Sequence, residues 1–458
     1  MQAHKPRLFG TSGIRGVVNV DFEPVLAMRL GIALGNTLKK GMLTLGRDTR
    51  TSGEMLSSAI LAGALAGGLD VTDLGVLPTP VLAYLTRSLG AVSGAMITAS
   101  HNPPEFNGIK LFDRNGKAYD DGLQSQIEPA LGDESLPCAS WDQLGEVSSA
   151  DHSSRYVEEI LNRIELEKAW KVAVDFGSGA AYQIGFGLLR SLRCHIISLN
   201  AQPDGVFPGR SPEPTSESLS ALVTTVREMD CDIGFAYDGD ADRVFVIDEE
   251  GQCVDGDVAL AAFASHMLQK QGKGGVALPI DTSLGVQEAV EKSGGQVIWT
   301  KVGDANVAEA IEKKKALFGG EQCGAWIHPD FHLCPDGVLS SILLLKALEE
   351  KGTTTREFFS EVTRYPMKRG KIPCQDRVKP EVMRIIVSNL PGVLGEKTEI
   401  AEIDGIRVKV PAGWVLVRPS GTEPAIRVTV EAKSERLAED LFNTSYSLCS
   451  DIARENQS

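Results

Sequence analysis

Ser100 and its neighbours are the first part of this 458-residue sequence that could carry chemistry. The serine lies in the heptapeptide TASHNPP, directly after the apolar residues 95–97. Its hydroxyl is therefore presented where a strand is expected to end, as a nucleophile would be. A Ser-His-Asp triad is disfavoured, because the Gly-x-Ser-x-Gly elbow is missing and His101 is expected to point away from Ser100 in extended backbone. Read alone, the segment also fits an ordinary polar turn before two prolines.

Three aspartates alternate in the segment DGDADR, directly before the apolar residues 244–247; they are Asp238, Asp240 and Asp242. Three carboxylates in one turn repel one another unless a cation offsets them, and together they can hold a hard divalent ion. A calcium loop is disfavoured, because Arg243 stands where that loop needs glycine and a strand is expected to follow. A solvated acidic turn is the other alternative. We predict Mg²⁺, since three side-chain oxygens leave an octahedral ion room for a phosphate oxygen and water.

The segment RPSGTEP, residues 418–424, together with Arg427, has the composition of an anion site. The arginine guanidinium can fork onto a phosphate, while Ser420, Thr422 and the backbone around Gly421 can donate further hydrogen bonds. The net charge of −15 would repel a sugar phosphate, so such a site must be built locally from groups of this kind. A simple turn would have a similar sequence.

Two further glycine-rich loops carry one charged side chain each. Residues 10–16, GTSGIRG, include Arg15, and residues 319–324, GGEQCG, include Glu321, which is suited to accept hydrogen bonds from sugar hydroxyls. Each loop alone is a weak signal. The Gly-x-Gly at Gly177 and Gly179 lacks the third glycine of a dinucleotide-binding fingerprint and is interpreted as a turn.

The elements that must position these loops follow one local plan three times. An apolar run ends in aspartate, a turn of Ser, Thr or Gly follows, and a helical stretch leads to a second apolar run; the copies begin at residues 43, 172 and 276. Each copy predicts a βαβ unit in a parallel or mixed sheet. We interpret the likeness as a triplication, although coincidence among α/β units is the alternative.

The last hundred residues differ from these copies. Short strand-like runs at 406–410, 414–417 and 426–431 precede a helical stretch from 435 to 449, which predicts a smaller α+β module. Residues 132–154 and 365–373 are the expected linkers. The predicted fold is α/β with four domains, and we expect them to span residues 1–150, 151–252, 253–364 and 365–458.

Composition limits the possible partners and setting. The sequence is 42% hydrophobic and 23% charged, as in a soluble globular protein, and its charge of −15 disfavours nucleic acid and anionic membrane surfaces. The longest near-apolar stretch, residues 59–69, is shorter than the roughly 20 residues that cross a bilayer. Eight scattered cysteines without a CxxC pair predict reduced thiols and a cytoplasmic protein.

Five motifs occur in one order along the chain: FGTSGIRG, TASHNPPEFNGIK, DGDADR, GGEQCG and RPSGTEP. In this respect the sequence closely resembles the α-D-phosphohexomutase family nearly end to end. The resemblance implies four domains around a central cleft, the first three of similar βαβ-containing mixed-sheet topology. It also implies an enzyme that interconverts hexose 6-phosphates and hexose 1-phosphates through a phosphoserine and a bisphosphate intermediate. Mg²⁺ would be the cofactor, a hexose 1,6-bisphosphate the activator, a hexose phosphate the partner, and the protein a monomer or homodimer.

The resemblance also implies a role for each motif residue. Ser100 would be the phosphoserine and, with the three aspartates, a metal ligand; His101 and Arg243 would border the transferring group, and Arg15 and Lys110 would assist proton transfer. The remaining residues implied are those that contact the substrate, namely Lys301, Gly303, Asp304, Glu321, Cys323, Arg418, Ser420, Gly421, Thr422 and Arg427.

Departures from the family pattern bear on the sugar. Cys323 stands where many relatives carry serine, and Ala325-Trp326 stand where many carry histidine, which puts any role of that histidine in doubt here. The RPSGTEP motif is similar to that of phosphoglucosamine mutases, so glucosamine 6-phosphate is the expected substrate. A mutase of broad sugar specificity is the main alternative. A phosphatase and a non-catalytic sugar-phosphate-binding protein are the others.

Overall fold

The computed structural model describes residues 8–10, 13–132, 135–395, 399–420 and 423–456, which form four sheets flanked by helices. The first sheet has six strands in the order β1-β5-β4-β2-β3-β6. Its strands are β1 (Ile14–Val17), β2 (Met42–Arg47), β3 (Asp70–Val76), β4 (Ser93–Ile97), β5 (Phe106–Asp113) and β6 (Val147–Ser149). Its helices are α1 (Pro24–Leu38), α2 (Gly53–Ala66), α3 (Thr79–Ser88) and α4 (Asp121–Leu131).

The second and third sheets have four strands each. The second unit comprises α5 (Ser153–Arg163), β7 (Lys171–Asp175), α6 (Ile184–Ser191), β8 (His195–Leu199), α7 (Ser220–Glu228), β9 (Ile233–Tyr237) and β10 (Val244–Ile247). The third unit comprises α8 (Gly256–Gln271), β11 (Gly275–Pro279), α9 (Leu284–Lys292), β12 (Gln296–Thr300), α10 (Asp304–Lys314), β13 (Phe318–Gly320), β14 (Trp326–Ile327), α11 (Gly337–Lys351) and α12 (Thr355–Ser360).

One strand arrangement recurs in these three sheets. The first strand of each copy lies parallel between the second and third, and the fourth strand runs antiparallel to the third. The order is thus β3-β2-β4-β5 in the first sheet, β8-β7-β9-β10 in the second and β12-β11-β13-β14 in the third. The predicted set of three similar mixed sheets is confirmed, with β1 and β6 as additions to the first.

The fourth sheet is wholly antiparallel, in the order β15-β19-β18-β17-β16. Its elements are β15 (Met367–Pro373), α13 (Lys379–Leu394), β16 (Glu399–Ala401), β17 (Ile406–Val410), β18 (Gly413–Pro419), β19 (Ala425–Ala432) and α14 (Glu435–Asn456). The predicted smaller α+β module is confirmed, and its last helix runs seven residues beyond the predicted end at Cys449.

The expected linkers contain strands. Residues 367–373 form β15, which pairs along its whole length with β19, and residues 147–149 form β6 beside β3. Both are edge strands, and Ile372 is the only fully buried side chain of β15. The sequence did not indicate these strands because their composition is polar. An edge strand needs little apolar surface and often carries charge.

The third and fourth units share a buried interface built around two charges. The guanidinium of Arg407 lies 4.4 Å from the ring centroids of both Trp299 and Trp414. The carboxylate of Glu431 accepts hydrogen bonds from the Ser283 hydroxyl, the Leu284 amide and the Trp414 indole, at 2.5–2.7 Å. The carboxylate therefore caps the amino end of α9 from the neighbouring unit, where a negative charge is stabilised by the helix dipole.

Within the described residues, no helix has both the length and the apolar character needed to cross a membrane.

Glycines allow α1 and α2 to approach closely. A Cβ atom at Gly63 would overlap the Met28 carbonyl, and one at Gly31 would meet the backbone of α2. Exposed Gly187 in α6 has no atom within 4 Å of the place its Cβ would occupy. Gly63 and Gly187 are therefore a matched pair of helical glycines, one without room for a methyl group and one with room for it.

We expect Gly63→Ala to destabilise the protein by about 1–3 kcal/mol, because the two helices must separate to admit the methyl group. Gly187→Ala should instead stabilise it by about 0.5–1 kcal/mol, because alanine restricts the unfolded chain and has room in the fold. Thermal unfolding followed by circular dichroism compares the two variants. Equal effects of the two substitutions would contradict this packing.

Candidate active site

Ser100 lies three residues beyond the end of β4 and is 1% exposed. Its backbone is left-handed, with φ of 53°, and its amide donates to the Thr98 hydroxyl at 2.8 Å. Its own hydroxyl donates to Oδ2 of Asp238 at 2.7 Å. A non-glycine residue with positive φ is uncommon and needs support from its surroundings.

The expectation that His101 points away from Ser100 is wrong. The left-handed turn at Ser100 interrupts the extended alternation, so His101 Nδ1 lies 3.2 Å from the Ser100 hydroxyl oxygen. Burial, together with the charges of Arg243 and Arg15, lowers the pKa of His101 to about 3. The ring is therefore neutral. The arrangement is nevertheless not a Ser-His-Asp triad, because the Ser100 hydroxyl donates its hydrogen bond to the Asp238 carboxylate and not to His101.

Arg50 holds the Ser100 loop in place, a role that the sequence analysis missed. Its Nε pairs with Oδ2 of Asp48 at 3.1 Å, and both residues are buried. The two terminal nitrogens donate to four carbonyl oxygens of the loop, those of Ser100, Asn102, Pro103 and Phe106, at 2.6–2.9 Å. The only signal in the sequence is an Asp-x-Arg directly after β2.

A second buried pair supports the aspartate loop in the same way. Arg210 pairs with Asp175 at 3.1 Å. It also donates a hydrogen bond at 2.6 Å to the carbonyl of Tyr237, which is the last residue before the aspartates. Asp48 and Asp175 occupy equivalent places, at the end of the first strand of their repeats. The sequence distance between Asp175 and Arg210 explains why this pair was not predicted.

The three aspartates lie at the end of β9 and are almost fully buried. Their carboxylates each offer one oxygen within 4.8 Å of the others. Oδ1 of Asp240 and Oδ1 of Asp242 are buried without a hydrogen-bond partner. Burial and the neighbouring carboxylates raise the pKa of Asp238 well above its usual range. Unpartnered buried oxygens in an all-carboxylate set fit a hard divalent cation.

The aspartate loop and the serine loop touch through their backbones. A Cβ atom at Gly239 would lie 2.6 Å from the Ser100 carbonyl oxygen, so only glycine allows this approach. Arg243 follows the last aspartate, and its Nε lies 3.8 Å from Oδ1 of Asp242. The structure therefore brings the predicted nucleophile, the three acids and Arg243 together.

Lys110, on β5, reaches the same carboxylates. Its Nζ lies 2.7 Å from Oδ2 of Asp240 and 2.5 Å from Oδ2 of Asp242. Burial by itself lowers the pKa of this ammonium, but the two carboxylates outweigh burial and raise it above its ordinary value. Arg15 lies on β1 opposite Gly108 of β5 and donates to the Asn102 amide oxygen at 3.1 Å. The two cations thus lie on neighbouring strands beside the Ser100 loop.

The loop that carries Glu321 and Cys323 lies next to Arg243, since Val244 N–H donates to the Gly324 carbonyl at 3.1 Å. Glu321 accepts a hydrogen bond from the Gly303 amide at 3.1 Å, which connects it to the loop of Asp304. Burial and nearby Asp304 raise the pKa of Glu321 to about 7.

Cys323 keeps its proton in this environment. Burial raises the pKa of its thiol to about 12, and the sulfur lies 3.7 Å from Oε2 of Glu321 as a weak donor. A serine hydroxyl could make the same contact more strongly. Trp326 packs against Phe263 with ring centroids 5.2 Å apart, so its side chain belongs to the core.

The candidate phosphate residues lie on the fourth sheet. Arg418 of β18 is directly opposite Arg427 of β19. Each has a carboxylate nearby, with Asp404 3.6 Å from Arg418 and Glu423 3.3 Å from Arg427. Lys379 holds the neighbouring loop by donating to the Ser420 and Glu423 carbonyls at 2.8 and 2.9 Å. Gly421 and Thr422 lie outside the described residues, and the Lys301 side chain is exposed.

We expect Arg50→Met to destabilise the protein by about 3–5 kcal/mol, because it leaves Asp48 as an uncompensated buried charge. Adding Asp48→Asn should recover part of that loss, since the two residues are directly coupled. The control is Arg114→Met at an exposed turn, which should change stability by less than about 0.5 kcal/mol. Unfolding in urea compares these three variants with Asp48→Asn alone and with the wild type, and additive effects of the two buried substitutions would contradict the coupling.

Relatives similar to this chain match it over nearly its whole length. A probable phosphoglucosamine mutase of Methanopyrus kandleri is 45% identical over 437 residues, which are 95% of this chain and 96% of that protein. A probable phosphoglucosamine mutase of Pyrococcus abyssi is 42% identical over 452 residues, 99% of this chain and 100% of that protein. Among solved structures, a phosphoglucomutase/phosphomannomutase family protein of Burkholderia thailandensis aligns with a TM-score of 0.87 at 27% identity, over 98% of both chains.

Four family models match in succession. They describe domains I, II and III and the C-terminal domain of phosphoglucomutase/phosphomannomutase, and they match residues 6–136, 154–251, 255–365 and 371–444. With three similar mixed sheets, a fourth antiparallel sheet and relatives above 40% identity, the chain belongs to the phosphoglucomutase/phosphomannomutase family, the α-D-phosphohexomutases.

Proposed function

We propose that this protein is a phosphohexomutase that interconverts glucosamine 6-phosphate and glucosamine 1-phosphate. The observation that carries the chemistry is the 2.7 Å contact between the Ser100 hydroxyl and one of three buried aspartates. The names of the archaeal relatives support glucosamine phosphate as the substrate. The Burkholderia thailandensis relative, which is named for glucose and mannose phosphates, keeps a mutase of broad sugar specificity as the alternative.

The aspartate cluster supports a divalent cation, for which Mg²⁺ is our choice. Asp238, Asp240 and Asp242 would hold it together with an oxygen of phosphorylated Ser100. When bound, it offsets the negative charge of the transferring phosphoryl group, as metal ions do in phosphoryl transfer generally. A phosphate beside three carboxylates would otherwise be strongly repelled.

The chain's own residues account for positioning. Phosphorylated Ser100 donates its phosphoryl group to the free hydroxyl of the bound sugar phosphate, and Arg243 lies where it can offset charge on that group. Two cations are candidates to assist proton transfer at the sugar hydroxyl. They are Arg15 and Lys110, whose ammonium is paired with Asp240 and Asp242.

A second set of residues is proposed to hold the rest of the substrate. Glu321 and Cys323, with Lys301, Gly303 and Asp304 in the adjoining loop, are proposed to contact the sugar. Arg418, Ser420 and Arg427, with Gly421 and Thr422, are proposed to hold the phosphate that does not react. Fixing the remote phosphate lowers the entropy cost of alignment.

The second half of the reaction reverses the first. The sugar bisphosphate formed by the first transfer reorients in the site. It then returns its other phosphate to Ser100. A hexose 1,6-bisphosphate would therefore activate the enzyme by phosphorylating Ser100. The eight cysteines are free, which agrees with a cytoplasmic setting, and the proposed assembly is a monomer or homodimer.

Initial rates on glucosamine 6-phosphate, glucose 1-phosphate and mannose 1-phosphate test this function, with Mg²⁺ and a catalytic amount of hexose bisphosphate. We expect clear preference for glucosamine phosphate, and a loss of at least about 10⁴-fold in kcat for Ser100→Ala, because the variant lacks the hydroxyl proposed to carry the phosphoryl group. Ser125→Ala, an exposed serine of α4, is the control and should match the wild type.

Comparable rates on the neutral hexoses would overturn the substrate and leave the mutase chemistry intact. Phosphate release without isomer formation would instead indicate a phosphatase. A Ser100→Ala variant as active as the wild type would contradict the mechanism itself.

A further inference from the structure

Thr79, the first residue of α3, makes two hydrogen bonds to Asp240. Its amide donates to the Asp240 carbonyl at 3.0 Å, and its hydroxyl donates to Oδ2 of the Asp240 carboxylate at 2.5 Å. Both residues are buried, with exposures of 1% and 0%. The contact joins the first unit to the second, and none of the five sequence motifs includes Thr79.

The two oxygens of Asp240 have different environments. Oδ2 accepts hydrogen bonds from Thr79 and from Lys110 at 2.7 Å, whereas Oδ1 is buried without a partner. Two donors on one oxygen fix the rotation of the carboxylate about its side-chain bond. The direction of the unpartnered oxygen is thereby fixed as well, and it is available to a cation.

A hydroxyl suits this position better than a second cation would. Lys110 already balances part of the charge of Asp240 and Asp242, and another positive group would compete with a divalent ion for the same carboxylates. A threonine hydroxyl donates a hydrogen bond without adding charge. Its rotamer is restricted by the branched Cβ, and Pro78 and Pro80 restrict the backbone on both sides.

We propose that Thr79 is a positioning residue of the metal site, which orients Asp240 so that its second oxygen faces the bound cation. The inference rests on the proposed function, because it assumes that the three aspartates hold a divalent cation. Hydrogen-bond partners of metal ligands contribute roughly 10- to 100-fold to metal affinity. Because Thr79 and Asp240 belong to different units, the affinity also depends on the docking of those units.

A purely structural role is the alternative, in which Thr79 only fills space between α3 and the aspartate loop. Two substitutions separate the readings. Thr79→Val keeps the shape and loses the hydroxyl, whereas Thr79→Ser keeps the hydroxyl and loses a methyl group. A positioning role predicts that valine is the harmful change for metal binding, and a packing role predicts that serine is.

Mg²⁺ affinity of the full-length, dephosphorylated protein, measured by isothermal titration calorimetry, is the readout. We expect Thr79→Val to bind Mg²⁺ about 10- to 100-fold more weakly than the wild type, and Thr79→Ser to stay within about 3-fold. Thr86→Val is the matched control on the same helix, since its buried hydroxyl bonds to the Leu82 carbonyl and Thr44. It should leave Mg²⁺ affinity unchanged.

Activity gives a second readout in which the concentration of Mg²⁺ needed for half-maximal rate rises in Thr79→Val while KM for the sugar phosphate is unchanged. Should Thr79→Val fail to fold, wild-type Mg²⁺ affinity in Thr79→Ser supports the proposal and a markedly weakened affinity overturns it. Equal Mg²⁺ affinity in folded Thr79→Val and wild type also overturns it. A wild-type protein that binds no Mg²⁺, whether dephosphorylated or phosphorylated on Ser100, contradicts the proposed function instead.

Discussion

The repulsion among three buried carboxylates is the constraint around which the rest of the structure is arranged. The three acids, Asp238, Asp240 and Asp242, have hydrogen-bond or ion-pair partners from two units. The first unit contributes the Ser100 hydroxyl, the Lys110 ammonium and the Thr79 hydroxyl. Their own loop contributes Arg243. Lys110 and Arg243 supply two positive charges against three acids, and two carboxylate oxygens remain without hydrogen-bond partners. An environment of this kind stabilises a divalent cation and, through it, a phosphate on the serine.

Repetition of one unit provides the scaffold for this cluster. A buried aspartate, Asp48 or Asp175, stands at or directly after the end of the first strand in each of the first two copies, and each pairs with an arginine. Arg50 donates to the loop after the third strand of its copy, and Arg210 donates to the last residue of the third strand of the other. In the third copy, Asp281 stands at the corresponding place; burial raises its pKa, while the charge of Arg418 on the fourth sheet opposes that shift. Equivalent strand ends thus support the serine loop and the aspartate loop and face the proposed phosphate site.

Local patterns in the sequence were sufficient to predict the three βαβ units, the distinct last module and the motif loops. Contacts made across the fold were not predictable in this way. Arg50 and Arg210 donate to backbone carbonyls 50 and 27 residues distant in sequence. The strand β15 carries little apolar surface, and the turn at Ser100 reverses the expected direction of His101. Thr79 lies in an unremarked Leu-Pro-Thr-Pro segment whose partner is 161 residues away. Each of these depends on tertiary packing that a single sequence does not display.

Asp238, Asp240 and Asp242 are proposed to hold one divalent cation together with the phosphate of Ser100. Phosphorus NMR of the phosphorylated full-length protein, titrated with Mn²⁺ in place of Mg²⁺, tests it most directly, because a paramagnetic ion broadens only resonances of nearby nuclei. We expect the phosphoserine resonance to broaden at substoichiometric Mn²⁺ and excess Mg²⁺ to reverse the effect. A phosphoserine resonance that stays sharp while the protein binds Mn²⁺ would contradict it.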